Sequence, residues 1–322
     1  MGPSSSKRPS MPDIDFDKII KPEMKTLNNR LKCPIMGLGT ALIKDEEHID
    51  VVYQSIKDGV RLIDTGPPNE EFVGKGIKRV LDEGKIKRKE LFIVTKLELE
   101  EKENPEKALR KSLKRLQLDY VDLYLDHWPS CININEPNKK PIPVNVTWQK
   151  MENLVDLGLT KSIGISNYNV ENMINILSIC KIKPVVNEVE FNPYFYQKDL
   201  KEFCDKEQII LFAYNPLVKG EYCDREYIYE RNLNLFREGP ITLLYNKYEE
   251  KRITKGQIIL NWHLCIGVVP IPGTSKPGRM KENLGAQNFV INKNNIEIIG
   301  SNEERQHRFC DGSKIFGINI FA

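Results

Sequence analysis

Short apolar runs recur along this chain, each followed by a longer stretch with apolar residues at helical spacing. That alternation restricts the fold more than any other feature of the sequence. Runs of strand character stand at 35–39, 61–64, 91–96, 120–126, 161–166, 185–190, 209–214 and 268–271, eight in all. Between them the helical pattern is clearest after Asn104, where Pro105 takes the first turn and Leu109, Ser112, Leu113 and Leu116 share one face. Asp45 opens another, with Ile49, Val52, Tyr53 and Ile56 on one side and Gly59 at its end. Others begin near Val146, at Asn169, near Gln197 and near Thr254. Strands alternating with helices in this way are parallel and joined by right-handed crossovers.

Two architectures satisfy that rule, an open doubly wound sheet and a closed barrel. The open sheet that binds dinucleotides carries G-x-G-x-x-G after its first strand. Here Gly37-Leu38-Gly39 is followed by Thr40, Ala41 and Leu42. Eight units in about 240 residues match the closed form, so the expected fold class is α/β, a (β/α)8 TIM barrel. Residues 25–35 read as an N-terminal β-hairpin with Asn28 and Asn29 at its turn. Residues 1–24, rich in Ser, Pro and Lys, read as a flexible arm ahead of a barrel spanning 25–322. Two long connections, 128–145 and 216–240, lack a strong period and fall on the C-terminal face, where barrels bind ligands.

Composition narrows the partners. Among 322 residues, 48 basic side chains oppose 45 acidic ones, a net charge of +3. That balance gives no electrostatic footprint for nucleic acid or an anionic membrane. Seven cysteines, an odd number with no C-x-x-C pair, read as reduced thiols and a cytoplasmic location. No apolar run reaches membrane-spanning length, the first residues hold no apolar signal core, and no metal site is expected.

A barrel delivers the C-terminal ends of its strands to one place. Asp64, Lys96, His127, Ser166 with Asn167, Glu188 and Tyr214 all stand at or near such ends. Each has an ordinary structural reading: a turn opener, a solvated charge, a helix cap, a core aromatic. Together they suit hydride transfer to a carbonyl. Asp64 and Lys96 form a buried ion pair that lowers the pKa of a neighbouring acid, and a neutral imidazole orients a carbonyl oxygen. Ser and Asn hold an amide, and an aromatic face stacks on a flat ring.

The same segments resemble the aldo-keto reductases, of the aldose and xylose reductase kind, over nearly the whole chain. The resemblance is carried by PIMGLGT at 34–40, RLIDT at 61–65, NEEFVG at 69–74, the strand at 92–96 and DLYLDHWP at 122–129. It continues through GLTKSIGISN at 158–167, AYNPL at 213–217, IPGTSKP at 271–277, RMKEN at 279–283 and the terminal FGINIF. It implies a barrel that binds NADP(H) in extended form and reduces small-molecule carbonyls. It further implies Asp64 and Lys96 as the tuning pair and His127 as the group that orients the substrate. Ser166, Asn167 and residue 188 would face the carboxamide, with Tyr214 on the nicotinamide. Thr274, Ser275 and Arg279 would face the 2′-phosphate, and Glu282 and Asn283 the adenine.

Departures from that pattern matter as much. The family places a tyrosine, its general acid, between the aspartate and the next helix. This chain reads Asp64-Thr65-Gly66-Pro67-Pro68-Asn69 there, and the next aromatic, Phe72, has no proton to give. General acid catalysis is worth about 10²–10⁴-fold in rate, so its loss leaves hydride transfer slow, with water or His127 as partial substitutes. Glu188 replaces a usual glutamine; as a carboxylate it favours the oxidised, cationic ring, and as a neutral acid it does not. Asp126 points away from His127 toward the helix layer, where a buried carboxylate requires a basic or backbone partner. Gly273 stands where many members use a lysine, though others share the glycine. Three readings follow: an impaired member that binds cofactor, a reductase using another proton donor, and a structural subunit within an assembly.

Overall fold

The structure, a computed structural model, describes residues 14–15, 24–41, 43, 45–46, 49–129, 141–218, 234–301 and 307–312. Most of the expected arm, the middles of both long connections and the terminal FGINIF lie outside the described residues. Three short strands come first: β1 (Ile14–Asp15), then β2 (Met24–Thr26) and β3 (Lys32–Pro34), which pair as the expected antiparallel hairpin. The eight parallel strands follow as β4 (Gly37–Gly39), β5 (Leu62–Asp64), β6 (Phe92–Leu97), β7 (Leu123–Asp126), β8 (Ile163–Ser166), β9 (Val186–Glu190), β10 (Ile210–Tyr214) and β11 (Val269–Pro270). Neighbours in sequence are neighbours in the sheet. The first and last strands meet through a parallel bridge between Gly39 and Gly273, with Gly39 N–H donating to Pro272 O at 3.2 Å. The sheet therefore closes, as the eightfold pattern predicts. A Cβ on Gly39 would sit 2.7 Å from the Ile271 carbonyl oxygen, so the seam needs glycine there.

Alternation along each strand sorts the side chains. Leu62, Phe92, Val94, Leu123, Leu125, Val186, Phe212 and Val269 point inward and fill the barrel with one apolar cluster. Ile63, Ile93, Tyr124, Ile163, Ile165, Val189 and Leu211 point outward and join a second, larger cluster with the helices. The hairpin closes the N-terminal end: Leu27 and Cys33 pack onto the inner cluster. Asn28 donates to Pro184 O and Asn29 to Ser162 Oγ, each at 2.8 Å. One point of the expected arm is also tied down, because β1 pairs antiparallel with β12 (Val290–Ile291) and Ile14 is buried.

The helices start where side chains can cap them. Asn104 accepts from Lys107 N–H at 2.9 Å ahead of Pro105–Leu116, and Asn169 accepts from Asn172 N–H at 2.9 Å ahead of Val170–Leu177. Thr254 and Gln257 form a capping box for Lys255–Cys265. Helices Glu70–Asp82 and Pro105–Leu116 pack closely at Gly74, where a Cβ would lie 2.6 Å from Arg115 O. The eight barrel strands begin one to three residues later than expected, β6 runs one residue past its expected end, and only β11 ends early. β11 stops at Pro270, and Pro272 also lacks the N–H that would extend the ladder. Helices Gly239–Lys247 and Lys293–Gly300 fall outside the helical patterns read from the sequence.

Asp126 does face the helix layer, and its basic partner is Lys102. The Lys102 ammonium lies 2.7 and 3.0 Å from the two carboxylate oxygens and donates to Trp128 O at 2.6 Å. Tyr168 donates its hydroxyl to the same carboxylate at 2.8 Å. Removing one member of a pair this buried leaves an uncompensated charge, at a cost of about 3–5 kcal/mol. Lys102→Met is therefore expected to lose stability on that scale, read as a lowered urea midpoint at constant m-value; an unchanged midpoint would show the pair to be energetically idle.

Candidate active site

At the C-terminal end of the barrel the inward positions become polar. Along β6 and just past it the inward series runs Phe92, Val94, Lys96, Glu98; along β7 it runs Leu123, Leu125, His127; along β9 it runs Val186, Glu188, Glu190. The expected residues meet there in two connected groups.

The first is built on Lys96. Its ammonium pairs with Asp64, lies 3.2 Å from Glu188 Oε1 and donates to Thr65 O at 3.0 Å. All three side chains are buried. Burial pulls the Lys96 pKa down, but Asp64 and Glu188 more than offset it and hold the ammonium charged above its ordinary range. Burial and the neighbouring Asp64 charge push the Glu188 carboxyl up to about 8, against the pull of Lys96. Glu188 is thus a neutral acid at pH 7, and its Oε2 has no hydrogen-bond partner among the described residues. A negative charge at position 188, on which a preference for the oxidised ring depends, is absent below about pH 8.

The second group is a chain of hydrogen bonds across β8 to β10. Asn167 adopts the left-handed conformation at φ 63°, which turns its side chain back over the barrel. Its amide donates to His127 O at 3.0 Å and Ser166 Oγ at 3.2 Å, while its carbonyl accepts the Tyr214 hydroxyl at 2.7 Å. Ser166 in turn donates to Glu188 O at 2.8 Å. Burial drives the Tyr214 phenol well above its ordinary pKa, so it stays a donor. A groove of about 650 Å³ runs from Asp64 and Tyr214 to Thr274, Ser275, Arg279, Glu282 and Asn283. All five residues expected at its far end line it. Arg279 and Lys276 make no ion pair among the described residues, which leaves two cations in that wall for an anionic ligand.

Three features were not read from the sequence. Glu98 reaches His127, its two carboxylate oxygens 3.0 and 2.9 Å from Nδ1; continuing the alternation from Lys96 would have found it. Glu190 accepts from Asn215 Nδ2 and from the backbone N–H of Cys310, each at 2.8 Å, and so ties the C-terminal segment to the barrel mouth. Phe236, from the second long connection, and Tyr245 and Lys255 beyond it also line the groove, and no local signal marks them. No group of metal-binding side chains occurs among the described residues, and no described helix is long and apolar enough to cross a membrane.

Replacing Glu188 with Gln removes the acid while keeping the shape. A carboxyl whose folded pKa is raised loses stability to ionisation as pH climbs from about 4.5 to about 8. Glu188→Gln is therefore expected to match the parent near pH 4.5 and to gain on it steadily up to pH 8, with a constant gain above. Thermal midpoints across that range test this, and a pH-independent difference would refute it.

Known proteins fit this geometry. The model of the Aldo/keto reductase family matches residues 35–304. Aldose reductase C of Dictyostelium discoideum is 35% identical over 315 residues, covering 92% of this chain and 94% of its own. Glyoxal reductase of Bacillus subtilis is 36% identical over 278 residues, covering 85% and 90%. A Bombyx mori aldo-keto reductase solved in complex with NADP superposes with a TM-score of 0.80 at 33% identity, covering 90% of this chain and 95% of its own. The chain belongs to the aldo/keto reductase family.

Proposed function

We propose that this protein binds NADP(H) along the groove and has lost the usual acid of carbonyl reduction, so that it turns carbonyls over slowly or not at all. The binding half of the reading is supported by fit. Asn167 and Ser166 offer amide-binding groups, Tyr214 offers a ring at the mouth, and Arg279 and Lys276 offer cations with no ion pair among the described residues at the other end. The Bombyx mori relative was solved with NADP. When bound, the cofactor supplies a hydride.

The other half rests on one observation. Lys96, the residue that in this family tunes a phenol, is engaged by Asp64, Glu188 and Thr65 O, and no described tyrosine bonds to it. Gly66-Pro67-Pro68 stands where the phenol would come from. Phe72, the first aromatic after it, packs against the apolar helix layer. A purely structural role is the weaker reading, because a scaffold has no need of two buried carboxyls around one lysine.

Purified protein is expected to bind NADPH, followed through the cofactor's emission, and to reduce a simple aldehyde about 10²–10⁴-fold more slowly than an ordinary reductase. Turnover at the usual rate of about 10 s⁻¹ would overturn the impairment. Absence of NADPH binding would overturn the whole reading.

A further inference from the structure

We infer that His127 and Glu98 together replace the missing phenol, His127 giving the proton to the carbonyl oxygen and Glu98 holding the imidazole in the donating state. This rests on the NADP(H) site proposed above. Glu98 is a positioning residue, since it acts through His127.

The geometry is specific. Glu98 lies two residues beyond Lys96 on the inward side, and its Oε1 is 4.0 Å from the Cβ position of Gly66. It thus faces the segment in which the family's tyrosine is absent. A Cβ at position 66 would stand in ordinary contact with that carboxylate. Both Glu98 oxygens face His127 Nδ1, which fixes that nitrogen as a donor and leaves Nε2 with no partner among the described residues. The His127 and Glu98 side chains are 27% and 28% exposed, so solvent can return a proton to the ring. His127 is held in place on its other sides by Asn167 on its carbonyl and by the Trp128 ring, 5.5 Å away between centroids.

Burial raises the Glu98 pKa, but the His127 charge and hydrogen bond, with Lys96 and Lys102 beyond, carry it below the usual carboxylate range. Lys96 is itself paired with Asp64, and Lys102 with Asp126. Glu98 is therefore the one anion in direct contact with the ring among the described residues. In the reaction, hydride adds to the carbonyl carbon and the C=O π pair moves to oxygen. The Nε2–H bond breaks as the O–H bond forms. Imidazolium becomes neutral imidazole, NADPH becomes NADP⁺, and a solvent proton restores the ring. An imidazolium gives up its proton more readily than a phenol, so the site suits electron-poor aldehydes, whose hydride adducts need little help.

Single-turnover reduction of 4-nitrobenzaldehyde by the NADPH complex tests the dyad across pH 5–9. The parent rate is expected to fall as pH rises, because only the protonated ring has an Nε2–H to give. Glu98→Gln keeps an acceptor for Nδ1–H but removes the charge. It is expected to shift that fall to lower pH and to cost about 10-fold at neutral pH, with NADPH affinity retained. His127→Gln is expected to lose about 100-fold and the pH dependence with it. A separate readout needs no turnover: nitrogen-15 NMR of the four histidines should show neutral His127 protonated on Nδ1 and moved toward the Nε2–H form in Glu98→Leu.

Cofactor binding with no turnover, a rate indifferent to pH, or an unchanged tautomer in Glu98→Leu would overturn the dyad and leave the binding reading intact. Failure to bind NADPH would remove both. Fast turnover with the expected pH dependence would keep the dyad and remove only the impairment.

Discussion

A closed sheet has an inside, and the two-residue alternation of its strands dictates what goes there. Every second side chain of eight strands enters a space too narrow for water and loops, so each must either pack or act. Near the N-terminal end they pack, from Leu62 and Phe92 round to Val269, under the plug made by Leu27 and Cys33. At the other end the same positions carry Asp64, Lys96, Glu98, His127, Ser166, Glu188 and Tyr214. The closure itself hangs on the seam between Gly39 and Gly273, where no side chain fits between the two backbones.

The polar end is organised by shortage of positive charge. Two buried carboxyls share the single ammonium of Lys96, and one of them, Glu188, keeps its proton as a result. Glu98 turns to His127 instead. Lys102 belongs to Asp126 on the far side of β7, where Tyr168 completes the arrangement. Two residues in succession on β7 thus serve different layers: Asp126 anchors the scaffold and His127 serves the site. The pleat keeps the two systems apart although they are adjacent in the chain.

Much of this architecture is legible in the sequence. The eight strands and most of the helices follow from period and caps: Asn104, Asn169 and Thr254 each cap the helix that their position announced. The ion pair of Asp64 with Lys96 and a basic partner for Asp126 follow from the cost of burying a lone charge. What escaped was of two kinds. Glu98 continues the alternation that turns Lys96 inward, one inward position past the expected end of that strand. The bond from Cys310 N–H to Glu190 joins residues 120 apart, and no local pattern encodes a contact at that range. The sequence also left open whether Glu188 is charged; that depends on the distance to Asp64 and Lys96, which only folding sets.

The hairpin plug has one more consequence. With Leu27 and Cys33 sealing one end, the interior is a blind well, and everything that reaches Lys96 or Glu188 must come through the mouth, protons included. Asn28 and Asn29, on the opposite side of the molecule from any chemistry, are in this sense the residues that give the well its floor. A molecule lying across the mouth becomes a lid on the proton count below it, and the charge state of the three groups at the bottom is then the one they had when the lid came down.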